Sequence, residues 1–191
     1  MIHEAVVVSR GADGAPHITP LGYRCEDEHI VLSPFVPSTT LANLERDRHA
    51  TLCLTDDVRV IAGCLTGRRD HALVATDVIA GWRLADTLAH MELQVARIEA
   101  DPVRPRFFCR VANQVTHAAF RGFNRAQAAV VEGAILVSRL ERLPQEKIDA
   151  EMAYLEIAIE KTAGERERQA WNWLCDAVAA HRSRSSAEAR P

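Results

Sequence analysis

The sequence from residue 34 to residue 44 reads Pro34-Phe35-Val36-Pro37-Ser38-Thr39-Thr40-Leu41-Ala42-Asn43-Leu44. Its prolines end a short apolar run at residues 30–32, and the hydroxyl cluster at residues 38–40 precedes a helical pattern. The first turn of a helix carries unsatisfied N–H groups and the positive end of the helix dipole. The stretch therefore predicts either a plain helix cap at Ser38 or a cradle for a phosphate, with Asn43 on the same helix face as Thr39.

Short strand-like runs lie on both sides of this stretch. Residues 4–9 and 17–23 flank a Gly-Ala-Asp-Gly turn at residues 11–14, and this arrangement predicts a hairpin. Further strands are predicted at residues 29–32, 50–55, 91–99 and 107–115, while residues 58–65 fit either a strand or a helix. Residues 67–90 are ambiguous, with a loop predicted at residues 67–70, either a strand or irregular structure at residues 73–82, and a helical turn at residues 84–90.

The last third of the chain has the periodicity of helices. Apolar residues predict helices at residues 124–140, at residues 145–162, and from Gly164 to about residue 180. Residues 183–191 are rich in Ser, Ala and Arg, and we expect them to be disordered. An antiparallel β half followed by a helical half is an α+β arrangement, because strands and helices do not alternate.

Composition argues against several classes of protein. A chain of 191 residues suits one domain with or without an appendage, and a net charge of −3 does not favour a nucleic-acid partner. No apolar run approaches the roughly 20 residues of a membrane helix, and the N-terminus lacks the pattern of a signal peptide. Five widely spaced cysteines and eight scattered histidines predict reduced thiols, a cytoplasmic location and no metal site.

Two further segments carry candidate ligand chemistry. The run Thr19-Pro20-Leu21-Gly22 combines a residue that cannot donate to a sheet with one that has no side chain, which indicates either a strand bend or the close approach of a flat ligand. His117 and the stretch from Arg121 to Arg125 lie where a long helix begins, and they indicate either a cap at Asn124 or an anion site that uses Arg125. No nucleophilic triad is evident, so no catalytic residue is predicted.

The order of these segments resembles that of the FMN-binding split β-barrels, the flavin-reductase-like and pyridoxamine-phosphate-oxidase-like proteins. The resemblance rests on a hairpin with Thr-Pro-Leu-Gly, a strand leading into Pro-Phe-x-x-Ser-x-Thr-x-x-Asn-Leu, and a strand that ends in Thr-Asp-Asp. The segments at residues 122–126 and 132–139 are similar to a narrower set of archaeal and bacterial members with a helical C-terminal region. The resemblance covers roughly residues 3–180.

The resemblance implies a split β-barrel over residues 1–120, a helical region over residues 121–182, and a homodimer with FMN at the subunit interface. It implies that the phosphate lies near Ser38, Thr39, Thr40 and Asn43. It implies that the flavin ring or the ribityl chain runs along Thr19, Pro20, Leu21 and Gly22, with Thr55, Asp56 and Asp57 at the polar edge of the ring. Further implied contacts are His117, Asn124 and Arg125.

The leading functional hypothesis is a cytoplasmic oxidoreductase of the flavin-reductase kind, in which the flavin carries the hydride chemistry. Its small-molecule electron donor or acceptor would be a nicotinamide or a pterin, since the resemblance links this subfamily to one-carbon pathways that use methanopterin-type coenzymes. Two alternatives stay open, namely a non-catalytic flavin carrier or sensor and a structural partner that has lost the cofactor. Neither nucleic acid nor a membrane is expected as a partner.

Overall fold

The computed structural model describes residues 1–188, with side chains described as far as residue 184. The chain divides into two compact units. The barrel unit consists of Met1–Asp56 and Asp70–Phe120, and the helical unit consists of Asp57–Arg69 and the chain from Arg121 onward. This division differs from the predicted one in one segment, because residues 57–69 belong to the helical unit although they lie within the range assigned to the barrel.

The barrel unit contains eight strands and one helix. The strands are β1 (His3–Arg10), β2 (Pro16–Glu26), β3 (His29–Leu32), β4 (His49–Leu54), β5 (Leu73–Ala75), β6 (Trp82–Leu84), β7 (Ala89–Glu99) and β8 (Arg106–Thr116). Six of them close an antiparallel barrel in the order β1-β2-β3-β8-β7-β4, and β5 pairs with β6 in a separate hairpin. Val7 of β1 lies opposite Thr19 of β2 on one side and Leu52 of β4 on the other.

Side-chain alternation decides which residues fill the barrel. Val7, Leu52 and Leu93 point inward from three neighbouring strands and are fully buried. Val6 and Val8 have the opposite phase on β1, yet they are buried as well. The outer face of this part of the barrel is therefore covered by other residues of the chain.

Helix α1 (Thr39–Asp47) contributes Leu41 and Leu44 to the barrel core. The helix ends at Arg48, whose φ of 59° lies in the left-handed region and whose N–H donates to the carbonyl of Leu44. Because both leucines are buried among the inward-facing strand residues, the first turn of α1 has a fixed place on the barrel.

The segment between β6 and β7 is fastened to the barrel by side chains and backbone together. The N–H of Leu84 donates to Cys53 Sγ at 3.5 Å, and Thr87 Oγ1 donates to the carbonyl of Leu54 at 2.8 Å. The helical turn predicted at residues 84–90 is wrong, since Leu84 ends β6 and Ala89 begins β7. Pairing with neighbouring strands outweighs the local apolar spacing that suggested a helix.

The helical unit is built from α2 (Val58–Leu65), α3 (Arg125–Val137), α4 (Gln145–Thr162) and α5 (Glu165–Glu188). Its core includes Val130, Ile148, Trp171 and Leu174, with Val58 and Ala62 of α2 packed in the same cluster. Residues 58–65 therefore form a helix because their apolar partners lie on other helices. A Cβ atom on Gly133 of α3 would lie 2.9 Å from Trp171 Cζ3, so glycine allows the close approach of α3 and α5 there.

The C-terminal part of the chain differs from the prediction. Helix α5 continues to Glu188, so the expectation of disorder is wrong for residues 183–188, and residues 189–191 lie outside the described residues. Among residues 1–188, no helix has both the length and the apolar content needed to cross a membrane. The antiparallel barrel followed by helices confirms the predicted α+β class.

Candidate functional site

The first turn of α1 begins with a side-chain cap. Ser38 has an extended backbone, and its Oγ accepts a hydrogen bond from the N–H of Leu41 at 3.2 Å. The carbonyl of Ser38 accepts from the N–H of Ala42, which is the first bond of the helix. The capping interpretation of Ser38 is therefore confirmed, and its hydroxyl is engaged with the helix itself.

Two further polar residues of the motif, Thr40 and Asn43, are turned into the protein. Thr40 is 2 % exposed, and its hydroxyl donates to Thr19 Oγ1 at 3.2 Å. Thr19 Oγ1 also lies 2.7 Å from His17 Nε2, so the Thr19 hydroxyl bridges two neighbours. Asn43 is equally buried, and its Nδ2 donates to Ser9 Oγ at 3.0 Å. These side chains join α1 to β1 and β2.

Thr39 differs from its neighbours because its side chain is exposed. The N–H groups of Thr39 and Thr40 lie in the first turn of α1, where a helix offers no internal acceptor for them. One exposed hydroxyl and two backbone N–H groups at a helix N-terminus are suited to an anionic oxygen. Of the four residues predicted at the phosphate, Thr39 thus retains a free side chain, while Thr40 can contribute through its backbone.

The Thr19–Gly22 run pairs regularly with β1. Pro20 lies opposite Val6, and Gly22 lies opposite Glu4, with no bulge between them. A Cβ atom on Gly22 would come within 2.8 Å of Ile2 Cγ2, so a side chain of this protein already fills the space that the glycine leaves. The structure does not support the interpretation that Gly22 opens the backbone to a flat ligand.

Thr55 and Asp56 follow β4 in the barrel unit, while Asp57 belongs to the helical unit. Asp57 caps α2, accepting from the N–H of Arg59 at 3.1 Å and from Arg59 Nε at 2.9 Å. Burial alone raises the pKa of Asp57, but the hydrogen bonds from Arg59 outweigh it and lower that pKa. The Asp57 carboxylate is therefore an ionised helix cap.

Asn124 and Arg125 begin α3 in the helical unit. Asn124 Oδ1 accepts from the N–H of Ala126 at 2.8 Å, and its Nδ2 donates to the carbonyl of Thr162 at 3.1 Å. Arg125 is exposed and lines a cavity of about 270 Å³ between α3 and α4, together with Glu132. The cap interpretation of Asn124 is confirmed, and the predicted anion site at Arg125 stays a prediction.

His117 belongs to a cluster that the sequence did not reveal. His117 Nε2 lies 2.9 Å from His90 Nδ1, and the two rings are nearly parallel, with an interplanar angle of 9°. His90 Nε2 in turn lies 3.6 Å from Glu92 Oε1. His90 and Glu92 are 1 % and 0 % exposed, whereas His117 is exposed, so the three side chains run from the interior of the barrel unit to its surface.

Glu92 is a carboxylate with a full set of donors. Its Oε2 accepts from the N–H groups of Val78 and Ile79 at 2.8 and 2.7 Å, and its Oε1 accepts from the N–H of Asp77 at 3.0 Å and from Asn113 Nδ2 at 2.9 Å. Burial alone raises the pKa of Glu92, but these hydrogen bonds outweigh burial and lower that pKa to about 2. Glu92 is therefore ionised in the interior and holds residues 77–79 against β7.

His90, Glu92 and Asn113 were missed because their burial depends on a segment with no readable pattern. His90 and Glu92 alternate with the inward Met91 and Leu93, and polar residues in the outward phase of a strand ordinarily predict exposure to solvent. The sequence pattern that could have identified the buried His90 and Glu92 is the His-x-Glu pair in one phase of an otherwise apolar strand. Within the described chain, no group of three or more His, Cys, Asp or Glu residues can hold a metal ion.

Comparisons with known proteins give one family and several similar structures. The profile of a protein family of unknown function, DUF447, matches residues 3–118 as its N-terminal domain and residues 124–176 as its C-terminal part. An FMN-bound DUF447 protein from Methanosarcina mazei is 16 % identical, with a TM-score of 0.79 over 92 % of this chain and 94 % of that one. A comparison with curated proteins finds no match.

Two other similar structures cover a smaller share of this chain. A 2-nitrobenzoate 2-nitroreductase from Pseudomonas fluorescens is 17 % identical, with a TM-score of 0.53 over 60 % of this chain and 64 % of that one. An FMN-binding protein from Thermus thermophilus with bound p-hydroxybenzaldehyde is 15 % identical, with a TM-score of 0.50 over 60 % and 71 %. At these identities the comparisons establish the fold that the chain shares with these proteins.

Replacing Glu92 by Gln tests the buried carboxylate, because Gln keeps the size of the side chain but places an NH₂ group where an oxygen accepts. We expect the free energy of unfolding at pH 7 to fall by about 1–3 kcal/mol, since at least one buried N–H group loses its acceptor. Urea unfolding measures this change. Glu99→Gln is the control, because Glu99 pairs with Arg97 and Arg106 in an exposed cluster, where solvent screens the charges and we expect a much smaller change.

The unfolding free energies of the wild type and of Glu92→Gln are also expected to depend differently on pH. The folded pKa of Glu92, about 2, lies below its usual value of 4.5, so the stability that the carboxylate contributes is present above pH 4.5 and is lost as the pH falls toward 2. The difference in unfolding free energy between wild type and Glu92→Gln should therefore shrink across this window. A difference that stays constant down to pH 2 would contradict the ionised state of Glu92.

Proposed function

The chain belongs to the DUF447 protein family, and from that membership we propose that it binds FMN and acts as a flavin-dependent oxidoreductase. The support is the FMN-bound family member from Methanosarcina mazei, whose fold matches this chain over both the barrel and the helices. The nitroreductase with a partly similar fold supports the redox part of the proposal. Five free cysteines suit a protein of the reducing cytoplasm, where we propose that it works.

The residues present fit a phosphate-bearing cofactor at the first turn of α1. The observation that carries this assignment is the exposed Thr39 hydroxyl beside the N–H groups of Thr39 and Thr40. Ser38, Thr40, Asn43 and Thr19 support this turn from behind through their own hydrogen bonds. The residues of the chain would bind and orient the cofactor, and the bound flavin would supply hydride transfer.

The proposed electron partner is a reduced nicotinamide or a pterin. If the protein is an oxidoreductase, anaerobic addition of NADH, NADPH or a tetrahydropterin to the FMN-loaded protein should bleach the visible flavin band faster than it does for free FMN at the same concentration. A stopped-flow absorbance measurement checks this prediction. Bound flavin that resists all three donors would overturn the oxidoreductase proposal and favour a carrier or a sensor.

Thr39→Val separates ligand binding from helix packing. We expect it to weaken FMN binding by about 1–3 kcal/mol, because a hydroxyl that donates to a charged phosphate is lost. The matched control is Thr40→Val, in which the lost hydroxyl bonds Thr19 instead. That control should lower the unfolding free energy by about 1 kcal/mol and weaken FMN binding less than Thr39→Val does, because the Thr40 hydroxyl supports the turn without facing the ligand. Fluorescence quenching of FMN measures both affinities. Equal values for wild type and Thr39→Val would contradict the assignment of the phosphate site to the first turn of α1.

We also propose that two copies of the chain associate through an exposed apolar patch on the barrel unit. Phe35, Val36 and Val103 are 57 %, 44 % and 56 % exposed, and the N–H of Val36 donates to the carbonyl of Val103 at 2.9 Å. Arg104 stacks on Phe35 with 4.3 Å between the guanidinium carbon and the ring centroid, and it donates to the carbonyl of Ser33. A rigid apolar patch beside an arginine is typical of the centre of an interface.

Val103→Asp tests the patch. An aspartate there would bury an unpaired charge between the copies, so we expect the wild-type dimer to become a monomer at micromolar concentration. Val74→Asp is the control, because Val74 is 42 % exposed on β5 and lies outside the patch. Sedimentation equilibrium with and without FMN measures the masses. A wild-type protein that stays monomeric with FMN bound would contradict the proposal.

A further inference from the structure

We propose that His90 and His117 form a proton relay that reaches the surface of the barrel unit, and that the buried carboxylate of Glu92 fixes where its protons lie. The outer member, His117, is exposed, and the inner two are almost completely buried. Their order in space is carboxylate, imidazole, imidazole, with 3.6 Å from Glu92 Oε1 to His90 Nε2 and 2.9 Å from His90 Nδ1 to His117 Nε2.

The ionised carboxylate decides where the protons sit in the resting pair. His90 Nε2 is buried and has no hydrogen-bond partner in the described part of the chain, so a bare lone pair there would face the negative charge of Glu92. A proton on His90 Nε2 avoids this repulsion. His90 Nδ1 is then an acceptor, and the 2.9 Å contact is a hydrogen bond donated by His117 Nε2. Nδ1 of the exposed His117 then carries no proton, so it is the atom at which the relay takes one up.

The proton inventory of the relay balances in both states. A proton taken up at His117 Nδ1 makes that ring a cation, and the proton on its Nε2 can move across the hydrogen bond to His90 Nδ1. His117 is then neutral with its proton on Nδ1, and the positive charge lies on His90 beside the anionic Glu92. Release of the proton from His117 Nδ1 to an acceptor reverses both moves, and no redox change or covalent bond is involved.

The charged neighbours on each packed element fit this scheme. The charge of Arg83 on β6 lowers the pKa of His117 and that of Asp77 raises it, while Cys53 of β4 lies opposite His90 in the barrel. Burial raises the pKa of Cys53 to about 11, so this thiol stays neutral. Desolvation, with smaller effects of Arg83 and His90, lowers the pKa of His117, which keeps this ring uncharged near pH 7.

The existence of the relay does not depend on the proposed function. Only its use, the delivery of a proton to a substrate, rests on that proposal. A substrate that gains a hydride from a flavin also gains a proton, and His117 can deliver one from its exposed Nδ1 after the pair has taken up a proton there. Glu92 is a positioning residue, because its charge fixes the tautomer of His90, and through His90 that of His117, without reaching the surface. The relay itself can be tested on protein without flavin, so its failure and the failure of FMN binding are distinguishable.

Nitrogen NMR of ¹⁵N-histidine-labelled, flavin-free protein tests the relay. Above the titration of the pair we expect His90 to carry its proton on Nε2, with scalar coupling across the hydrogen bond between His90 Nδ1 and His117 Nε2. On acidification, the first proton should make His90 the imidazolium. A His90 ring that carries its proton on Nδ1, or a first charge that stays on His117, would overturn the proposal. This measurement uses the wild-type protein and needs no variant.

Glu92→Gln adds a test of the carboxylate. Removing the anion should move the titration midpoint of the pair down by about one pH unit or more and leave the charge on His117. His49 is the internal control, because its Nε2 contacts the carbonyl of Ala80, directly after the residues 77–79 that Glu92 holds. An unshifted midpoint with unchanged His49 signals would overturn the proposal. If the His49 signals move, the variant has disturbed the fold, and the tautomer of His90 in the wild-type protein alone decides whether the proposal holds.

Discussion

The barrel unit depends on a buried carboxylate that is fully supplied with hydrogen-bond donors. Glu92 accepts from three consecutive N–H groups at residues 77–79 and from Asn113, and these bonds fasten a segment with little regular structure to β7. An unpaired charge at 0 % exposure would be very unfavourable, so the donors and the carboxylate require one another. The same anion lies beside His90, and its place in the fold thereby determines the chemistry of the two histidines.

A second constraint acts on the first turn of α1. Leu41 and Leu44 pack inside the barrel, and Thr40 and Asn43 hydrogen-bond to Thr19 and Ser9. A helix N-terminus held on two sides in this way needs no reorganisation to receive an anion, and pre-organised donors bind more tightly than donors that must be ordered. The polar residues behind the turn thus serve the proposed site by stabilising it, while Thr39 and the backbone face the ligand.

Much of the fold could be predicted because its signals are local. The hairpin around residues 11–14, the strand at residues 29–32 and the helix at residues 145–162 follow from turn residues and apolar spacing alone. Residues 58–65 were ambiguous and residues 67–90 were not readable, because their structure depends on partners distant in the chain. For the same reason the motif at residues 38–43 identified a helix start correctly but could not reveal that Thr40 and Asn43 face inward.

The central claim is that the first turn of α1 receives the phosphate of FMN. The most direct measurement is an NMR titration of the ¹⁵N-labelled protein with FMN, followed at the backbone amides. We expect the largest amide shifts at Thr39 and Thr40, and inorganic phosphate should move the same two amides in the same direction at higher concentration. Flavin binding that leaves both amides unmoved, or no binding of flavin at all, would contradict the account.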